Sequence, residues 1–313
     1  MSENALHVVT GAFGFTGKYI TRRLLDAGHR VRTLTSSPNR PNPFGDAVEV
    51  VPYHWHDPDA LTKSLRGADV LHNTYWVRYN SRRSSMDEAF NNTVKLFEAA
   101  ARAGVRRIVH ISITNPTKGA GLPYFEAKAE FERILRDAEP SHAILRPAVL
   151  FGKEGILINN IAWNLRRFPV FAVFGGDASR LRPIHVDDLA KLAVEYGQTE
   201  EDITIDAVGP ETFTFRELVV EVGRAIGKPR AIIRLPKELV WLASSFMGLL
   251  LRDKVLTYDE TKSLSRGLLS TDAETTGNTR LTGWLRENAD WLGIRYMSEL
   301  ARRRDRSGAY EKL

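Results

Sequence analysis

Short runs of β-branched and apolar residues alternate with longer stretches of helical period through the first half of the chain. The strand-like runs are His7–Thr10, Val31–Thr35, Val48–Tyr53, Val70–Thr74, Ile108–Ser112 and His142–Leu145. Between them, apolar residues at three- and four-residue spacing predict helices over Gly17–Ala27, Asp59–Leu65, Ser85–Ala103 and Pro123–Asp137. In LFEAAARAGVRRIVHIS the helix ends at Gly104 and an apolar strand follows within three residues. Repeated βαβ units of this kind, joined by right-handed crossovers, predict an α/β fold with a doubly wound parallel sheet. After Pro147 the alternation lapses. Asp202–Val208 predicts a strand returning to the sheet, and Thr214 and Glu217, at capping-box spacing, open a new helical region. The expected organisation is a sheet-bearing domain over residues 1–208, with an insertion around 153–180, and a smaller, mostly helical region over 209–313.

Composition narrows the classes. The 313 residues are 43% hydrophobic, enough to fill a core. Cysteine is absent, which removes disulfides, thiolate metal sites and a cysteine nucleophile. With no basic and apolar leader pattern over Met1–Leu6, a cytoplasmic location is expected. The longest apolar run, Leu239–Leu251, is too short to span a bilayer and is flanked by Lys237 and Arg252. A core helix is the simpler expectation for it, and peripheral membrane contact the alternative. The net charge is +6, but the pairs Arg22–Arg23, Arg82–Arg83, Arg106–Arg107 and Arg166–Arg167 are dispersed among carboxylates. No nucleic-acid partner is expected from such a distribution; an anionic small molecule fits it as well.

The stretch VVTGAFGFTGKYI changes the picture. Strand, G-x-x-G-x-x-G, helix is an arrangement that brings backbone amides and a helix N-terminus against a pyrophosphate. Gly11 permits the tight turn, Gly14 the close approach of phosphates and Gly17 the packing of helix on strand. Thr10 and Phe15 belong to the same turn, and Asn73 lies near the end of the fourth strand, so these too are expected to bind the cofactor. About 20 residues on, an NAD site usually carries a carboxylate. VRTLTSSPNR has none. Ser36, Ser37 and Arg40 are suited to a 2′-phosphate instead, which favours NADP(H) and leaves NAD(H) as the alternative.

The blocks TGAFGFTGKYI, HDPDALTKSLRGADVL, LFEAAARAGVRRIVHIS, YFEAK, ILRPAVLFG and RPIHVDDLA occur in the order found in the short-chain dehydrogenases/reductases. Over residues 5–210 the chain resembles their atypical branch, the group of NmrA-like proteins and the nucleotide-binding accessory subunit of respiratory complex I. The resemblance implies a catalytic Tyr-x-x-x-Lys pair. Tyr124/Lys128 and Tyr258/Lys262 both have that spacing. Only Tyr124 begins the helix after the strand ending near Ser112, where the family places its catalytic tyrosine. Thr114 is the preferred hydroxyl partner and Ser112 its neighbour. The resemblance also implies Asp57 at the adenine, Pro147 beside the nicotinamide, and Arg182, His185 and Tyr75 as contacts of a small-molecule substrate, with Tyr75 and Trp76 bulky where sugar-nucleotide epimerases keep small residues. It leaves three readings: hydride transfer on a carbonyl or alcohol, a cofactor-binding sensor or accessory subunit without turnover, and nucleotide-sugar epimerase or dehydratase chemistry.

Overall fold

The computed structural model describes residues 4–77, 80, 85–174, 180–305 and 307–310; the Arg82–Arg83 pair and part of the 153–180 insertion lie outside them. The chain runs β1 (Leu6–Thr10), α1 (Phe15–Asp26), β2 (Arg30–Thr35), β3 (Val48–Pro52), α2 (Pro58–Leu65), β4 (Val70–Asn73), α3 (Met86–Arg102), β5 (Arg107–Ile111), α4 (Pro123–Arg136) and β6 (Ser141–Pro147). It continues with β7 (Val149–Phe151), α5 (Ile156–Arg167), β8 (Val170–Val173), β9 (Arg180–Leu181), β10 (Pro183–His185), α6 (Val186–Gly197), β11 (Ile203–Ala207) and β12 (Phe213–Thr214). The last elements are α7 (Phe215–Ala225), β13 (Ala231–Arg234), α8 (Lys237–Leu251), α9 (Tyr258–Ser265), α10 (Leu281–Glu287) and α11 (Glu299–Arg304).

Seven strands form one sheet in the order β11-β6-β5-β4-β1-β2-β3, and the pairs from β6 to β3 are parallel. This is the doubly wound α/β fold that the alternation of elements predicts, and the strand from the 202–208 stretch returns to its edge beside β6. Helices cover both faces of a parallel sheet, so its strands are buried on both sides. Val8, Leu71, Ile108 and Ile144 pack with Leu61, Leu96 and Phe131 of α2, α3 and α4. The alternate positions, His7, Val9 and His72, are equally buried on the other face.

By contacts the chain divides into two compact units, residues 1–146 with 189–205 and residues 147–188 with 206–313. The second has its own core, with Phe151 of β7, Ile158 and Leu165 of α5, Leu218 and Val222 of α7, and Leu281 and Leu285 of α10. Beside its helices it carries three two-stranded sheets, β10-β7, β12-β9 and β13-β8. The capping box that opens α7 is formed from both sides: the Glu217 amide donates to Thr214 Oγ1 at 3.1 Å and the Thr214 amide to Glu217 Oε2 at 2.7 Å. The simpler expectation for residues 239–251 is not met. They form the outer helix α8, of which only Val240 and Gly248 are buried.

Candidate functional site

The turn after β1 is shaped by its glycines. Gly11 has φ +67°, a left-handed conformation that glycine adopts without steric cost. Its amide donates to the Leu34 carbonyl at 3.0 Å, and the Gly14 amide returns to the Gly11 carbonyl at 2.8 Å. A Cβ on Gly17 would stand 2.2 Å from that same oxygen, so α1 reaches the strand this closely only with glycine there. Gly14 caps α1 without a side-chain hydrogen bond, and the first turn contains no acid. The opening amides of α1 therefore face a place where an anion is favoured by both hydrogen bonding and the helix dipole. Phe15 begins the helix and meets Tyr19 edge-on, with ring centroids 6.2 Å apart. Bare backbone at Gly11, Gly14 and Gly17, uncapped amides and a first turn without acid fit the pyrophosphate of a dinucleotide.

Thr10 and Asn73 hold the strand ends beside this cradle. Both are fully buried. Thr10 Oγ1 donates to Asn73 Oδ1 at 3.2 Å and accepts from the amides of Thr74 and Tyr75 at 2.7 and 3.0 Å. Asn73 Nδ2 lies 3.1 Å from His110 Nδ1 on β5. These side chains tie together the ends of β1, β4 and β5. After β2, exposed Ser36 and half-buried Arg40 lie on a turn closed by the Arg40 amide on the Ser37 carbonyl, 3.1 Å. No carboxylate occurs between Arg30 and Gly45. Asp57 caps α2, its Oδ1 accepting from the amides of Asp59 and Ala60 at 3.1 and 2.9 Å.

The catalytic candidates gather on α4 and the end of β5. Tyr124 and Lys128, four residues apart, share a helix face. Lys128 is buried, and its Nζ donates to the Ile111 carbonyl at 2.7 Å. Burial pushes its pKa down to about 7, with the Glu132 carboxylate opposing. Thr114 is fully buried just past β5, whereas the Ser112 hydroxyl donates to Glu132 Oε1 at 2.7 Å. Glu132 also accepts from Arg146 and from Arg136 Nη2 at 3.0 Å. Trp76 lies over the same face. Its ring is 5.3 Å from Lys128 Nζ and 5.8 Å from the Tyr124 ring. Tyr75 joins a different group, with Tyr53 and Trp55 at 5.4 and 5.2 Å, and its hydroxyl accepts from Asn92 Nδ2 at 3.3 Å.

Glu132 and His110 are neighbours of these candidates that sequence reading did not single out, whereas Trp76 was marked there only for its bulk. The spacing 124, 128, 132 on one helix carries the signal for Glu132. The other sequence-derived candidates belong to the second unit. Pro147 ends β6 and is buried. Arg182 is occupied by the 271–275 segment: its guanidinium donates to the carbonyls of Thr271 and Ala273 and to Thr275 Oγ1. His185 sits between Phe151 and Trp284, with ring centroids at 5.1 and 6.3 Å.

A family model described as NAD(P)H-binding matches residues 11–162. The chain is 30% identical over 227 residues to a (4-alkanoyl-5-oxo-2,5-dihydrofuran-3-yl)methyl phosphate reductase of Streptomyces griseus, covering 71% of this chain and 74% of that protein. It is 26% identical over 239 residues to NADH dehydrogenase (ubiquinone) 1 alpha subcomplex subunit 9 of Arabidopsis thaliana, over 73% of this chain; it spans 60% of that subunit's length. Among solved structures, the NADPH-dependent quinone oxidoreductase of Escherichia coli superposes with a TM-score of 0.71 at 21% identity, over 91% of this chain and 98% of that one. With the glycine cradle, the sheet order and the matched sequence in agreement, the chain belongs to the NAD(P)H-binding, atypical branch of the short-chain dehydrogenases/reductases.

Proposed function

We propose that this protein is an NADP(H)-dependent reductase that moves hydride between the nicotinamide and a small carbonyl or alcohol. The observation that carries the proposal is the placement of Lys128 one helical turn from Tyr124, held by the carbonyl that ends β5 and with its pKa pushed down to about 7. Bound nicotinamide would supply or accept the hydride. The chain's part is the proton: the Lys128 charge favours the Tyr124 phenolate, so Tyr124 Oη can give a proton to the substrate oxygen as the carbonyl is reduced. Thr114, at the adjoining strand end, is assigned to polarise that oxygen. Ser112 is already committed to Glu132 and acts on the position of α4 instead. Ser36 and Arg40, in a stretch whose sequence carries no acid from residue 30 to 45, support a 2′-phosphate and hence NADP(H) over NAD(H).

Reductase relatives include the Streptomyces enzyme, at 30% identity. Bulky Tyr75 and Trp76 after β4 speak for a small substrate and against a nucleotide sugar. The same Trp76 favours one second reading, a cofactor-binding sensor or accessory subunit. Its ring lies against both members of the Tyr/Lys pair, 5.3 Å from Lys128 Nζ and 5.8 Å from the Tyr124 ring.

Fluorescence titration with NADPH and NADH, followed by a panel of carbonyls, separates these readings. The reductase reading expects tighter NADPH binding, oxidation of NADPH by some carbonyl, and a loss of roughly 100-fold or more in rate for Tyr124→Phe with cofactor binding retained. NADPH binding with no turnover on any carbonyl, and no effect of Tyr124→Phe, establishes the sensor. A clear preference for NADH removes the role given to Arg40.

A further inference from the structure

Helix α8 is apolar along its length and yet lies outside the core. Residues 239–251 contain no charged side chain. Leu239, Leu242, Phe246 and Leu249 follow one another at three- and four-residue steps, and they are 51, 60, 65 and 75% exposed. Leu250 and Trp241 widen the stripe, at 67 and 38%. A helix with so little polar surface is ordinarily buried in a core or in lipid. At 15 residues and about 1.5 Å per residue it is about 22 Å long, short of the roughly 30 Å hydrocarbon core. Spanning is excluded by length; lying in the interface is not.

The charges around the helix point to what covers it. Arg234 and Lys237 stand at its start, lining an open cavity of about 470 Å³ with Pro236, Glu238 and Ser265. Arg252 and Lys254, both exposed, stand at its end. The acids nearby are engaged locally. Glu238 lies 3.9 Å from Lys237 and Asp259 4.0 Å from Lys262. Asp253 is buried and accepts from Tyr296 Oη and the amides of Glu299 and Leu300. Glu260 caps α9. With cations at both ends, packing α8 against a second copy sets positive charge opposite positive charge whether the helices run parallel or antiparallel. Anionic headgroups meet the same rim with attraction. Trp241 and Tyr258, packed at 5.7 Å, supply the aromatic pair suited to the headgroup boundary.

We infer that α8 is a membrane-surface anchor: its apolar stripe lies in the outer acyl region of an anionic bilayer, with Arg234, Lys237, Arg252 and Lys254 on the headgroups. Apolar burial and lipid charge act together in such anchors.

Flotation of the full chain tests it, using phosphatidylcholine vesicles with and without phosphatidylglycerol. The expected result is recovery with phosphatidylglycerol vesicles and weaker recovery without them. Phe246→Glu/Leu249→Glu lowers partitioning at least about tenfold, because it removes two of the most exposed apolar side chains of the stripe and puts charge in their place. Arg252→Glu/Lys254→Glu removes the preference for the anionic lipid. The altered residues are exposed, so an unchanged melting temperature of each variant shows that the fold is intact. Absence of the wild-type chain from the floated fraction overturns the proposal, as does equal flotation of the Phe246→Glu/Leu249→Glu variant. A wild-type dimer that this variant dissociates, without any flotation, overturns it in favour of a second copy.

Discussion

Lys128 gains its importance from where α4 puts it. A lysine amine withdrawn from water loses much of its preference for the charged form, and the Glu132 carboxylate and the Ile111 carbonyl compensate. With a pKa near 7, the ammonium form is present below neutrality and drains away as pH rises through that value. A pair that relies on this charge to hold the Tyr124 phenolate then loses kcat/KM on the alkaline side. The pH profile of the cofactor-dependent reaction is expected to show a descending limb centred near 7, absent in Lys128→Met. A wild-type profile that stays level through neutrality into the alkaline range contradicts the assignment. The sequence offers two Tyr-x-x-x-Lys pairs, and only position ranks them, because Tyr124 alone begins the helix that follows β5. In the second, Lys262 Nζ sits 4.6 Å from the ring of Tyr258, itself 38% exposed.

At the scale of elements, the β1–α1 turn is where a single atom has the largest consequence. Gly17→Ala puts a methyl carbon against the Gly11 carbonyl, and neither backbone can yield without opening the turn. A destabilisation of about 1–3 kcal/mol is expected, as for other overpacked sites, together with a loss of NADPH affinity. Urea denaturation and a cofactor titration check the two parts, and Gly28→Ala, with open space around its Cβ but φ +78°, serves as a backbone control remote from phosphate. This turn and the long strands were legible in the sequence because each carries its own pattern: three spaced glycines, or a run of β-branched residues between helical periods. The paired strands of the second unit were not. β9 and β12 have two residues each, too few for alternation to register. Glu132 was legible only through helix spacing, and its link to Ser112 and Arg146 depends on three separate elements meeting.

Across the whole molecule, what sequence patterning conveys least is which distant segments share a core. β7 pairs with β10, and Phe151 on β7 packs with Leu281 and Leu285 from far down the chain; no local period encodes such a meeting. The same holds for the histidines. His7, His29 and His72 are scattered in sequence, yet on the second face of the sheet His7 Nδ1 lies 3.0 Å from His72 Nε2 and its ring 4.5 Å from that of His29. Burial pushes His7 down to about 4, with His29 and Arg106 adding to the effect and Asp69 opposing it; burial also holds His72 and His110 well below the ordinary range. The folded protein therefore keeps these rings neutral where the unfolded chain would protonate them. The His7 contribution is complete above about 6.5, the unfolded value, and is lost as pH falls toward about 4. For His7 alone the shift corresponds to about 3 kcal/mol. Urea denaturation at a series of pH values is expected to show stability falling steeply over this window, with a slope shallower by about one proton in His7→Gln. An unchanged slope in that variant would mean that the buried histidines do not set the acid limit of this fold.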